Sequence, residues 1–274
     1  MARGPVGMSG VGSRGLKAPQ RLPAAKRKAA VKGVAPAKAR AIAAKEPVAP
    51  KTKRGKTAKP LAPERVAAIL DALKKTYPNV VCALTHRNAF ELTIATILSA
   101  QTTDVGVNKA TPELFKRFQT PKALASASLT EIEPLIKTTG FYRAKAKNIQ
   151  GAARVLVEKF GGKVPQTVEE MIQLPGVARK TANVVLGSWF GIPSGVVVDT
   201  HVLRLSRRLE LTKNTDPVKV EMDLQKVIPR DRWIQFSHEL IHHGRQVCVA
   251  RKPRCVDCSL EKLCNSSDKT WSSH

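Results

Sequence analysis

An all-α fold is predicted by three features of the sequence. Apolar residues repeat at helical spacing from Pro63 onward, helix start and stop signals alternate along the same stretch, and the one β-like run, Val196-Val197-Val198, is too short to found a sheet. Val66, Ile69, Leu70, Leu73 and Tyr77 make one apolar stripe, and Phe90, Ile94, Ile97 and Leu98 make the next. Further along, Thr130 with Glu133 and Thr167 with Glu170 have capping-box spacing, and Asp216-Pro217 places a cap before a proline at the first helical position. Gly161-Gly162 closes a long segment that begins near Tyr142, and Pro193 and Gly195 close the one that begins near Arg179. This spacing gives about nine to eleven helices.

The chain has 274 residues, enough for one large or two smaller units with a buried core. Its 47 Lys and Arg against 21 Asp and Glu give a net charge of +26, which makes a polyanion such as nucleic acid the first partner to consider. The first 60 residues hold 16 of those cations against the single acid Glu46, and they contain no aromatic residue. Such a segment cannot bury enough apolar area to offset its ordering entropy, so residues 1–61 read as a disordered basic tail that holds DNA without regard to sequence. Its composition also leaves open an organelle transit peptide or, through Lys26-Arg27-Lys28 and Lys51–Lys56, a nuclear address. No secretory h-region is present. The longest uncharged stretch, Thr181–Val198, is broken by glycines and Pro193, so no membrane partner is expected.

Four of the five cysteines, Cys248, Cys255, Cys258 and Cys264, form a C-x6-C-x2-C-x5-C array. In a chain without a secretory signal, clustered cysteines point to metal ligation rather than disulfides. The single C-x-x-C with unequal outer spacings favours iron–sulfur, although zinc also accepts four thiolates. The fifth, Cys82, lies in an apolar run and reads as a buried, inert thiol. Between the first two ligands, Arg251, Lys252 and Arg254 crowd a loop whose ends the metal would clamp, which suits a rigid grip on phosphate.

The segment Leu174-Pro175-Gly176-Val177-Ala178-Arg179-Lys180 reads as a helix-hairpin-helix, in which Gly176 allows the tight turn. The amides that open the following helix are suited to a phosphate oxygen. Lys180 stands in the first turn of that helix, where the macrodipole opposes its charge and favours the neutral amine of a nucleophile. A phosphate contact is the plainer role for such a lysine. Asp199, in Val198-Asp199-Thr200-His201, is by itself an ordinary helix cap; if the fold brings it to Lys180, it can take a proton from the amine and stabilise positive charge on a sugar.

With these residues in place, positions 62–274 resemble endonuclease III. The resemblance rests on Leu98-Ser99-Ala100-Gln101-Thr102-Thr103-Asp104, the hairpin through Lys180-Thr181-Ala182-Asn183-Val184-Val185, Val198-Asp199-Thr200-His201, His243-Gly244-Arg245, and the cysteine loop with Ala250-Arg251-Lys252-Pro253-Arg254-Cys255. It implies a six-helix barrel domain at 82–192 and a second domain, 62–81 with 193–274, that carries a [4Fe–4S] cluster on the four cysteines. It also implies a monomeric base-excision enzyme, a DNA glycosylase and AP lyase, acting on double-stranded DNA with a damaged base or abasic site. Lys180 would attack C1′ of a flipped-out oxidised pyrimidine nucleotide, Asp199 would be its acid–base partner, and Gln101 would fill the gap left by the base. Two positions depart from the pattern: Ala178 replaces a second hairpin glycine, and Phe141 stands where a second wedge is often leucine. The resemblance favours a cytoplasmic, nucleoid-associated bacterial protein, with nuclear or mitochondrial residence open. Two other readings are an adenine-mismatch glycosylase, opposed by Lys180 and by the lack of a further recognition domain after Cys264, and a noncatalytic DNA-binding protein, opposed by Lys180 and Asp199 together.

Overall fold

In the computed structural model, residues 61–270 are described, and all belong to one compact unit. The basic segment before Leu61 lies outside them. The described residues form eleven α-helices and four short 3-10 turns, with no strand. The helices are α1 (Pro63–Thr76), α2 (Ala89–Leu98), α3 (Asp104–Arg117), α4 (Pro121–Ser126), α5 (Leu129–Ile136), α6 (Tyr142–Phe160), α7 (Val168–Met171), α8 (Arg179–Phe190), α9 (Thr200–Arg208), α10 (Pro217–Val227) and α11 (Trp233–Gln246). No helix among the described residues is long and apolar enough to cross a membrane.

Local chemistry sets most of these boundaries. Asn88, Thr103, Thr120, Thr167, Asp199 and Asp216 each accept a first-turn amide, which satisfies donors that a helix start leaves open. Two boundaries differ from the expected ones. The cap of helix α5 lies two residues before Thr130: Ser128 and Glu131 form the capping box, with the Ser128 amide donating to Glu131 Oε2 at 2.9 Å. Both pairs have the required spacing, and the earlier start adds residues to a short helix whose Ile132 and Ile136 are buried. Helix α8 stops at Phe190, because Gly191 takes the left-handed conformation and Ile192 N–H bonds back to Leu186 O at 3.0 Å, closing the helix before Pro193 is reached.

Apolar side chains gather in two buried clusters. One is built from α2–α8 and includes Leu92, Ile94, Leu114, Ile149 and Leu186. The other combines α1 with α9–α11 and includes Ile69, Leu73, Val202, Phe236 and Leu240. Val196, Val197 and Val198 link them as a buried extended segment that pairs with no strand; its Val197 amide is satisfied by Ser237 Oγ at 3.0 Å. This segment enters under Gly195, where a Cβ would collide with Glu221 Oε1 and Asn183 Nδ2. Those two groups are bonded at 2.9 Å and pin α8 to α10. The residues leading to Asp199 are thereby held against the start of α8.

Candidate functional site

The turn before α8 depends on Gly176. Its φ of +79° is one that L side chains resist, and a Cβ there would stand 3.0 Å from both Asn148 Cβ and Ile97 Cγ2. Ala178 sits at the cap with φ −95° and ψ 170°, extended backbone that any residue adopts, so the missing second glycine imposes no strain. No side chain caps α8, and residues 178–180 are exposed, so its opening amides remain available to an oxygen from outside. Arg179 is tied back to the buried Glu221, with Nε 3.1 Å from Oε2.

Lys180 and Asp199 line the same cavity, of about 120 Å³. Asp199 caps α9 with one oxygen: Oδ1 accepts from His201 N–H and Val202 N–H, each at 2.8 Å. The cap fixes the carboxylate's rotamer and leaves Oδ2 outside those bonds. The cavity also receives residues that sequence reasoning did not single out. Asp104, in the first turn of α3, pairs with Arg245, in the last turn of α11, at 2.8 Å. His238 reaches Ser188 Oγ at 3.2 Å, and burial lowers its pKa, keeping the ring neutral. Asp104 and Arg245 lie within the sequence segments that carry the resemblance, but nothing local announces that they meet. Cys82 also lines this cavity and is half-buried, which corrects the expectation of a core cysteine; burial pushes its thiol up and keeps it protonated.

Gln101 and Phe141 occupy turns at the starts of α3 and α6, and both are exposed, Phe141 by 71%. Each has left-handed backbone, with φ of 55° and 47°. Lys252 does too, at 52°, so three of the four described non-glycine residues with positive φ are expected DNA contacts. Left-handed conformations in such residues persist only where the surroundings impose them. Arg251 and Lys252 are exposed without an ion pair among the described residues, whereas Arg254 is paired with Asp257 at 2.8 Å.

Cys248, Cys255, Cys258 and Cys264 are free thiols that line one further cavity beside the end of α11. Among the described residues, no three His, Cys, Asp or Glu side chains are arranged to hold a single metal ion. Three sulfurs have nitrogen partners: Arg208 Nη1 lies 3.2 Å from Cys248 Sγ, the Thr270 amide 3.4 Å from Cys255 Sγ, and His243 Nε2 3.3 Å from Cys258 Sγ. Burial pushes the Cys258 thiol up to about 11 and raises that of Cys264 as well, with the neighbouring cysteines adding to both shifts, so these two become thiolates only with cationic charge beside them. The His243 pKa is pushed down to about 4 by burial, and its Nδ1 meets Tyr77 Oη at 2.9 Å. A neutral ring with Tyr77 donating to Nδ1 leaves Nε2–H to donate to the Cys258 sulfur.

Residues 94–230 match the family described as HhH-GPD superfamily base excision DNA repair protein. The chain is 57% identical to endonuclease III of Synechocystis sp. over 204 residues, covering 74% of this chain and 93% of that protein. It is 43% identical to endonuclease III of Escherichia coli over 201 residues, covering 73% and 95%. Among solved structures, a non-covalent endonuclease III–DNA complex superposes with a TM-score of 0.71 at 43% identity, covering 75% of this chain and 96% of the other. A trapped endonuclease III–DNA covalent intermediate matches equally well, with a TM-score of 0.71 at 43% identity over the same shares of the two chains. The chain belongs to the endonuclease III family of the HhH-GPD superfamily, the DNA glycosylases and AP lyases of base excision repair.

Proposed function

We propose that this enzyme excises oxidised pyrimidines from double-stranded DNA through Lys180 and then cleaves the strand 3′ to the abasic site. The observation that carries this reading is the convergence of Lys180 and Asp199 on one cavity beside the uncapped start of α8. The trapped endonuclease III–DNA covalent intermediate among the similar structures supports a covalent path. The hairpin amides and Gly176 hold a phosphate, Phe141 and Gln101 enter the duplex, and the extruded nucleotide reaches the cavity. Asp199 accepts a proton from the Lys180 ammonium; the freed amine attacks C1′ while the C1′–N bond breaks and its electron pair leaves with the base. The attached nitrogen then gives up a proton and the ring oxygen takes one, with Asp199 as the relay, as the C1′–O bond breaks and the sugar opens to a protonated imine. Loss of a C2′ proton moves its electron pair into the C1′–C2′ bond to give an enamine; the protonated imine then re-forms as that pair becomes the C2′–C3′ double bond and the C3′–O bond breaks, releasing the 3′ phosphate. Asp199 also stabilises the positive charge that develops on the sugar.

The two apolar clusters support a division into a barrel domain at 82–192 and a second domain of 62–81 with 193–274. Four sulfurs around a cavity, with three nitrogen partners, fit a [4Fe–4S] cluster held by Cys248, Cys255, Cys258 and Cys264. Bound there, the cluster supplies a rigid anchor for the loop of Arg251, Lys252 and Arg254, which grips phosphate. The enzyme acts as a monomer on nucleoid DNA.

Duplex carrying thymine glycol tests the function directly: release of the base with a nick 3′ to the site is expected, and borohydride should trap one covalent adduct. Base release without an adduct would replace the lysine path with a water nucleophile. Purified protein should be brown and contain about four irons and four labile sulfides per chain, as that cluster requires; a colourless zinc protein would refute the assignment. Lys252→Ala should weaken binding of all duplex sequences alike and reduce the salt slope by about 0.9, the share of one phosphate contact. An unchanged slope would remove Lys252 from the interface.

A further inference from the structure

Lys145 is a cation where apolar side chains would be expected. It lies one turn into α6 and is 4% exposed, and among the described residues it meets no carboxylate. Burial pulls its pKa down. Taking an ammonium out of water without a counter-ion is costly, whereas a methionine would fill a similar space without that cost. The lysine's bonds show what it holds in exchange. Nζ donates to Thr139 O at 2.6 Å and to Thr102 Oγ1 at 2.7 Å, and the Thr102 hydroxyl donates in turn to Thr139 O. The Lys145 amide donates to Phe141 O at 3.1 Å.

These partners belong to two turns far apart in sequence. Thr102 follows Gln101, and Thr139 precedes Gly140 and Phe141. Both turns contain backbone that is unfavourable by itself: Gln101 and Phe141 are left-handed, and Gly140, at φ 65° and ψ 157°, occupies a region essentially restricted to glycine. One buried amine therefore joins the two turns directly beneath their exposed side chains.

We propose that Lys145 is a positioning residue that locks the turns of Gln101 and Phe141 into a single two-pronged wedge, so that both side chains enter DNA together at a lesion. This rests on the reading of Gln101 and Phe141 as the inserted residues. Lys145 touches neither the substrate nor the reacting atoms.

The test uses the full chain and two substrates. The first is a duplex with the fluorescent base 2-aminopurine next to an abasic site, which reports unstacking and strand cleavage together. The second is a single strand with the same abasic site, which needs no wedge. Lys145→Met should slow the fluorescence rise and duplex cleavage by about tenfold, the scale of coupling between residues in one bonded network, and leave single-strand cleavage unchanged. In a Gln101→Ala/Phe141→Ala background, the same substitution should have no further effect. Equal losses on both substrates, or the full loss repeated in the double-alanine background, would overturn the proposal by showing general damage to the fold. If the double-alanine protein matched wild type on duplex, the wedge reading itself would fail, and with it the proposal. Thr102→Val, which removes the hydroxyl at nearly constant volume, serves if Lys145→Met does not fold. It should slow the duplex signal by about threefold with the single-strand rate intact, and a wild-type duplex rate would count against the lock.

Discussion

Lys180→Gln is expected to yield no borohydride adduct and to slow strand cleavage by about 10³-fold or more, since removing a nucleophile eliminates the covalent path rather than weakening it. The side chain is exposed in the first turn of α8 and has no bonding partner among the described residues, so its replacement should change stability by no more than about 0.5 kcal/mol. Binding to duplex DNA should persist, because Gly176 and the α8 amides, the proposed backbone grip, are untouched. Catalysis and binding are thus separable at this position. Loss of the adduct with retained binding and an unchanged melting temperature would establish Lys180 as the nucleophile. An adduct of wild-type yield would direct the search to another amine.

Asp199→Asn is expected to slow base removal by about 10²- to 10⁴-fold, the usual range for loss of a general acid or base. Asparagine is chosen because it separates the observed cap from the proposed acid–base role. Oδ1 caps α9 by accepting from His201 and Val202, and the asparagine carbonyl can do the same, since Asn and Asp are about equal as helix caps. What asparagine removes is the charge and the ability to take a proton. Single-turnover excision should therefore fall while the melting temperature and the DNA dissociation constant remain near wild type. Asp199→Ala should in addition lose about 1 kcal/mol of stability with the cap. Normal turnover in Asp199→Asn would leave Asp199 as a helix cap and nothing more.

Much of the fold was legible in the sequence because its signals are local. Apolar spacing and caps such as Thr167 and Asp216 act over three or four residues, and the structure places their helices where the pattern does. The misplaced start of α5 shows the limit of such signals: Ser128–Glu131 and Thr130–Glu133 have the same spacing, and only the folded structure selects the first. Gly191 likewise ends α8 ahead of the more conspicuous Pro193, because one left-handed residue is enough to close the last turn.

The sequence by itself determined the helical class, the hairpin, the four clustered cysteines and the candidate pair Lys180 and Asp199, since each is a matter of residue type and short spacing. Tertiary structure decided which of these residues meet. Ser194 bonds to Asn183 of α8 at 2.9 Å, Lys180 and Asp199 come to line one cavity, and Asp104 of α3 reaches Arg245 of α11. The contact between Thr102 and Thr139 spans 37 residues, and that between Tyr77 and His243 spans 166. No local pattern encodes such pairs. They form because burying two apolar clusters leaves few arrangements in which the enclosed polar groups, Lys145 and His243 among them, all find partners.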